Sequence, residues 1–489
     1  MQATFTSFYF LCFYTGILVL YYLFPAKLRW GVLLAASIAY YLLTGNGILI
    51  LYPLAACLIA HGGMHLMVRI EDSKKRRGVL LAVTAILLGI LVLLKYTGFG
   101  LLAPLGVSFY TLTILGYVID VYHCIAQPGK NFLKLALYGL YFPAILSGPV
   151  LRYREDGEQF YQPHPFDYRQ VTMGLQRMVW GFFKILVISE RMSLVVNTVY
   201  SDYNSYPGFY IWLATACFAF QLYTNFSGGM DIALGMSQTF GLKLPENFQT
   251  PFFSQTISEY WRRWHITLGV WMKEYVFYPL LRTATFTKLG KWGKEKLGKK
   301  RGKQLTTFTA MFILWFTVGF WHGGDWKYII GSGLLHWGYI VVGELMEPLF
   351  KKGLEKLRIP AGSRGLQLLR ILRTFLLVNI GFVFFRADSV KDALIMLRQA
   401  VGVWNPGVIV DGSLFALGLD VIEAVIAVVS LLILWVVSLL QQKQSVRERI
   451  ESQKLPVRFI LWYALLFYTI LLGYYGPGYS AVEFIYQGF

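Results

Sequence analysis

Ser258-Glu-Tyr-Trp-Arg-Arg-Trp-His-Ile-Thr-Leu-Gly-Val-Trp-Met-Lys-Glu-Tyr-Val-Phe-Tyr278 sets five charged side chains, one histidine and seven large aromatic rings side by side. A simple membrane span does not have that composition. Trp261, Trp264, Leu268, Trp271, Tyr275 and Tyr278 recur at steps of three and four, so the spacing predicts one helix with a continuous apolar stripe. His265 falls at the edge of the stripe. Arg262, Arg263 and Lys273 fall on other faces, where they can meet lipid headgroups, carboxylates or a phosphate-bearing ligand. The plain reading is a helix at the membrane surface, where Trp and Tyr belts flanked by cations are common. A second histidine, His322, closes an apolar run in Gly319-Phe-Trp-His-Gly-Gly324, and that pairing draws the reading towards chemistry.

The surrounding chain is 489 residues long, 56% hydrophobic and 17% aromatic, with a mean hydropathy of +0.52. This is far too apolar for an ordinary soluble protein and indicates a polytopic membrane protein. The net charge of +19 sits in short tracts between apolar runs, where cations set topology, so nucleic acid is not an expected partner. Cys12, Cys57, Cys124 and Cys217 are scattered with no C-x-x-C pair, which argues against a disulfide framework and a zinc site. No charge precedes Lys27 and no small-x-small cleavage site follows the first apolar run, so Met1 to Pro25 reads as a retained span.

In chain order, Phe5 to Phe24 ends at Lys27 and Arg29, which puts the N-terminus outside under the positive-inside rule. Gly31 to Thr44 and Ile48 to Ala60 are expected to form a hairpin about Gly45-Asn-Gly47, and Val79 to Leu94 to end in a polar break at Lys95-Tyr-Thr-Gly-Phe-Gly100. Phe142-Pro-Ala-Ile-Leu-Ser-Gly-Pro149 should break a helix at membrane depth, as irregular backbone is tolerated there only when covered by protein or lining a wet cavity. Val171 to Tyr200 carries Arg177, Lys184, Glu190 and Arg191 and is expected partly in the interface. Tyr210 to Phe240 is apolar yet holds Gln221, Asn225, Ser227 and Asp231, which need partners or a cavity in hydrocarbon. Arg282 to Lys303 has nine Lys or Arg against one Glu, the strongest cytoplasmic marker. Later basic tracts at Lys351 to Arg364 and Lys443 to Lys454 leave the C-terminus outside as well. The expected fold is an all-α polytopic bundle of about eleven to thirteen membrane segments, some re-entrant or half-helices. It forms one integral-membrane domain over residues 1–489, with no soluble domain and no internal repeat.

Of the histidines, His61, His65, His123 and His164 flank basic or loop stretches and read as surface or packing residues. His265, His322 and His336 fall within 72 positions of one another. Glycines after His322 let the backbone turn and approach a ligand, and a neutral imidazole there can take a proton from an attacking hydroxyl. The competing reading, a histidine that hydrogen-bonds between helices, stands for all of them and is kept for His336. Metal binding by the three matches no compact ligand spacing. Neither a G-x-S-x-G elbow nor a P-loop is present.

Trp261-Arg-Arg-Trp-His265, Trp271-Met-Lys-Glu-Tyr275 and Gly319-Phe-Trp-His-Gly323 together resemble the membrane-bound O-acyltransferase (MBOAT) superfamily in its bacterial branch. Leu105-Gly-Val-Ser-Phe-Tyr110, Gly116-Tyr-Val-Ile-Asp-Val-Tyr122, Phe142-Pro143, Ser147-Gly-Pro-Val-Leu-Arg152, Phe226-Ser-Gly228, Asp231-Ile-Ala233 and Glu246-Asn-Phe248 resemble blocks of its alginate O-acetyltransferase membrane subunits. The likeness runs from about residue 90 to 345. It implies a multi-helix bundle around a central funnel with a thin floor. It also implies transfer of an acyl group, acetyl first among the options, from a cytoplasmic thioester to a hydroxyl of an extracytoplasmic polysaccharide or cell-wall polymer. By position, His322 matches the family's essential histidine and His265 its second. Asn225, Trp261, Arg262, Arg263, Trp264, Trp321, Gly323 and His336 are the expected substrate contacts. Where relatives tend to carry Asp, Tyr223-Thr-Asn-Phe-Ser-Gly228 has Asn225, which hydrogen-bonds but carries no charge.

No permanently bound cofactor is implied, only a thioester donor such as acetyl-CoA or an acylated phosphopantetheine carrier. The Arg282 to Lys303 tract offers an acidic donor a cytoplasmic dock. The other partners implied are the lipid bilayer of a bacterial plasma membrane and a glycan or polymer acceptor, reached directly or through a partner protein. D-alanyl transfer to teichoic acid from a carrier protein is the alternative within the family. A transporter or flippase, or a purely structural assembly subunit, is the alternative outside it.

Overall fold

The computed structural model describes residues 4–44, 47–96 and 102–475. The turn expected at Gly45-Asn46 and the part of the polar break at 97–100 lie outside the described residues. Among the described residues eight helices are long and apolar enough to cross a membrane, at 26–43, 47–69, 73–96, 284–323, 326–356, 364–386, 421–441 and 455–472. Phe8–Leu23 and Val107–Tyr122 are shorter apolar helices. Among the described residues the chain is all-α, with one isolated antiparallel bridge between Phe248 and Trp264. The all-α polytopic class therefore holds. The break expected at Phe142–Pro149 is also present, as helix Phe132–Leu140 gives way to the short turn Phe142–Ile145 led by Pro143.

The described chain divides into two compact units, one of residues 1–190, 222–246 and 445–489, the other of 191–221 and 247–444. In the first, helix Tyr168–Phe182 meets residues 222–239 of helix Phe209–Thr239 through glycines. A Cβ at Gly174 would lie 2.6 Å from the carbonyl oxygen of Gly235, and one at Gly181 equally close to that of Gly228. Small residues let two backbones touch where lipid gives helices no hydrophobic reason to associate. The helix continues from Phe183 to Ser189 as wide π turns, and Lys184 is only 3% exposed. The cation in the middle of this stretch thus faces protein, not lipid headgroups. Lys184 is buried because Asp231 meets it at 2.6 Å.

The second unit corrects the opening stretch. It is not one helix. Helix Ile257–Arg263 stops, Trp264 is extended, His265 adopts a left-handed backbone at φ 46°, and Ile266–Met272 begins anew. Wide turns at Lys273–Phe277 and a last turn Tyr278–Arg282 follow. The break is held by a strand of chain that helical spacing cannot foresee. Ile266 N–H donates to Asn247 O at 3.0 Å, Gln249 N–H donates to Arg263 O at 2.9 Å, and Thr267 N–H donates to Asn247 Oδ1 at 3.0 Å. Asn247 thus does for the restarted helix what an N-cap side chain does, from a distance. Of the stripe, Trp264, Leu268 and Trp271 are buried in protein, while Tyr278 at its far end is exposed.

Helix Ala284–Gly323 contains a reversal at Gly298, where φ is 81°. Its two arms touch at Gly293 and Gly302, 3.1 Å from a built Cβ to the facing Cα. The nine cations of the basic tract are all exposed, eight of them on this hairpin. The wide turns Ile329–Leu334, which lead into helix Leu335–Lys356, pack back on the longer arm: a Cβ at Gly319 would lie 2.6 Å from Ile329 Cα, and one at Gly333 2.5 Å from Trp315 O.

Candidate functional site

His322 sits one residue before the end of helix Ala284–Gly323, which Gly324 closes in the left-handed region at φ 79°. Its imidazole is 3% exposed, 5.1 Å from the Trp321 ring and 5.7 Å from that of Phe385. Glycine at 323 is obligatory, since the Tyr328 ring lies 2.4 Å from where a Cβ would stand. Trp321 in turn lies 5.9 Å from the His265 ring, so one indole separates the two histidines that the sequence singled out. The walls of this site are aromatic.

His265 is held from one side. Its Nδ1 lies 3.3 Å from both the amide nitrogen and the amide oxygen of Asn247. Asn247 Oδ1 already accepts from Thr267 N–H at 3.0 Å and from Thr267 Oγ1 at 2.9 Å. With both lone pairs used, the Asn247 N–H is the group left to donate to Nδ1, which leaves the ring proton on Nε2. Burial pushes the imidazole down to about 3, so His265 is neutral across the physiological range. Asn247 was legible only as part of the Glu246-Asn-Phe248 block, and its orienting role was missed.

A second level lies further along the same helices. The His336 ring is 5.0 Å from that of Trp261, 5.9 Å from Trp315 and 6.0 Å from Tyr339. A Cβ at Gly381 would come within 3.1 Å of His336 Nε2, so glycine there admits the ring. His336 Nδ1 and Trp261 Nε1 are buried without a hydrogen-bond partner among the described residues. The other expected contacts fare differently. Trp264 packs on Tyr260 at 5.5 Å and bridges to Phe248, as part of the core. Arg263 is engaged by Glu259 at 2.7 Å, and Arg262 is exposed. Asn225 is buried in the other unit. Among the described residues no three His, Cys, Asp or Glu side chains are grouped to hold a metal ion.

That other unit holds a charge ladder. Arg177 Nε donates to Asp231 Oδ1 at 2.8 Å, and its two terminal nitrogens donate to Glu246 Oε1 and Oε2 at 2.7 and 2.5 Å. Lys184 Nζ meets Asp231 Oδ2 at 2.6 Å and donates to Ser227 Oγ at 2.8 Å. Of the polar residues that looked anomalous in the Tyr210–Phe240 run, Ser227 and Asp231 are thus answered by cations from the neighbouring helix.

Residues 128–372 match the model of the MBOAT, membrane-bound O-acyltransferase family. The chain is 32% identical over 308 residues to the probable alginate O-acetylase AlgI of Pseudomonas aeruginosa, covering 62% of this chain and 53% of that protein. It is 30% identical over 329 residues to the peptidoglycan O-acetyltransferase of Helicobacter pylori, covering 62% and 58%. It is 27% identical over 290 residues to the teichoic acid D-alanyltransferase of Bacillus subtilis, covering 58% and 69%. The match to the Pseudomonas protein spans about half of that protein's length.

Proposed function

Since the chain belongs to the membrane-bound O-acyltransferase family, we propose that it transfers an acyl group from a thioester donor on the cytoplasmic side to a hydroxyl of an extracytoplasmic polysaccharide or cell-wall polymer. The observation that carries this reading is the buried His322 imidazole at the glycine-lined end of its helix, one indole away from a neutral His265. The acceptor hydroxyl attacks the thioester carbonyl while His322 takes its proton. The C–S bond then breaks and the thiolate leaves with that proton. His265, with its proton on Nε2, polarises the carbonyl oxygen. Both groups work in an aromatic, water-poor setting, where alignment of two bound substrates supplies much of the rate. Trp261, Trp321, Gly323 and His336 are proposed to line the path, with Arg262 and Arg263 as further contacts.

The basic tracts put their helix ends in the cytoplasm of a bacterial cell and leave both termini outside. Acetyl is the favoured group, because the alginate and peptidoglycan relatives are named for O-acetyl transfer. D-alanyl transfer from a carrier stays as the second reading on the teichoic acid relative. Purified protein given labelled acetyl-CoA or a D-alanyl-loaded carrier decides between them by which label reaches the polymer. His322→Ala should lower transfer by about 10²–10⁴-fold with the protein still in the membrane. Undiminished transfer by that variant removes His322 from the mechanism.

A further inference from the structure

The level of Trp261, Trp315 and His336 stands off the reacting atoms, and it buries two polar atoms that no described residue satisfies. His336 is 2% exposed. A buried hydrogen-bonding atom left unmet costs about 1–3 kcal/mol, so a site of this kind is built for a polar occupant among rings. Its place along the bundle says which. Trp315 precedes His322 by seven residues on one helix, which at 1.5 Å per residue sets the level about 10 Å from the reacting centre. The displacement is towards the cationic hairpin of residues 284–303. On the neighbouring helix, too, Gly381 beside His336 lies on the Arg370 and Arg373 side of Phe385, the residue that touches His322. A cation-rich end suits the approach of an anionic donor.

We propose that Trp261 and His336 bind the distal amide of a 4′-phosphopantetheine arm, Trp261 Nε1–H donating to its carbonyl and His336 Nδ1 accepting its N–H. This rests on the thioester-donor reading above and deepens it. The arm is common to coenzyme A and to acyl carriers, so the site is blind to which of them delivers the acyl group. The distance selects the amide. The cysteamine and β-alanyl units that separate the distal amide from the thioester are each a little longer than the roughly 3.5 Å of an extended residue. Together they span about the interval between the two levels. The amide next to the cysteamine unit falls short of it.

The test uses two unreactive probes on the full-length protein in detergent: S-methyl 4′-phosphopantetheine and its depsi analogue, in which the distal N–H is replaced by oxygen. Wild type should bind the amide probe about 5–10-fold more tightly than the ester, the worth of one buried hydrogen bond. His336→Phe should bind the two equally, and Trp261→Phe should weaken both alike while keeping the preference. A His336→Phe variant that retains the wild-type preference, or a wild type that has none, overturns the assignment. A loss of folding weakens both probes together and leaves the ratio readable. Wild type that binds neither probe is a different result, because it strikes down the thioester-donor reading itself and this inference with it.

Discussion

In the first unit Asp231 receives Arg177 on one oxygen and Lys184 on the other, at 2.8 and 2.6 Å. In the second, His336 turns a buried nitrogen towards indoles and meets no protein donor among the described residues. Both sites take polar groups out of water, and they resolve the cost in opposite ways. The charge ladder is closed: each ion has its counter-ion, and the facing glycines of its two helices bring those ions together. Such a network locks a helix pair but leaves little to offer a ligand. The histidine site is built from neutral rings, which are cheap to bury, and its polar edges are left unmet by the described residues. Buried polarity alone therefore does not mark a functional centre. The separating question is whether the protein itself answers it.

The sharpest way to break that contrast is to open the ladder. Asp231→Asn leaves Lys184 with no anion and Arg177 with Glu246 alone, and removing one member of a buried pair costs about 3–5 kcal/mol. We expect a large fall in folded yield and in thermal midpoint in detergent. His322→Ala should leave both nearly intact while abolishing transfer. Equal stability losses at the two sites would erase the distinction between a structural and a functional polar cluster.

Asp156 tests the same rule inside the first unit. Burial pushes its carboxyl up to about 6, against the bond it accepts from Arg152 N–H at 3.0 Å, and the Arg152 guanidinium pairs with Glu155. The folded-state value lies above the unfolded one. The contribution is therefore fully present below about pH 4 and is lost as pH rises through 6, by about 3 kcal/mol in all. Thermal midpoints from pH 4.5 to 7.5 should show that decline in wild type and a flatter curve in Asp156→Asn. Superimposable curves would mean that this carboxylate, too, is fully answered.

The composition and the basic tracts were enough to read the polytopic all-α class, the break at Phe142–Pro149 and the turn behind His322, because hydropathy, proline and glycine act locally. The break at Trp264–His265 was not legible. Its cause, Asn247, lies 18 residues away from His265, and a left-handed backbone at a histidine leaves no mark on helical spacing. The partners of Asp231 were hidden for the same reason, since Arg177 stands 54 positions earlier. Sequence spacing showed that polar groups in an apolar run needed an answer, but only tertiary contact says which groups supply it.

Asn247 is the place where the two kinds of site can be told apart within one residue. It caps a helix through Oδ1, a structural task, and presents an N–H to His265 Nδ1. Asn247→Asp keeps the acceptor for Thr267 but replaces that N–H with a second oxygen. The ring proton of His265 then moves to Nδ1 to serve it, and Nε2 changes from donor to acceptor. If Nε2–H polarises the thioester carbonyl, kcat should fall about tenfold with KM for the donor little changed, because the lost bond matters most as charge develops on the carbonyl oxygen. Asn247→Ala loses the cap as well and should add about 1 kcal/mol of destabilisation. A wild-type kcat in Asn247→Asp would show that His265 serves as packing, and the second histidine would join the closed kind of site.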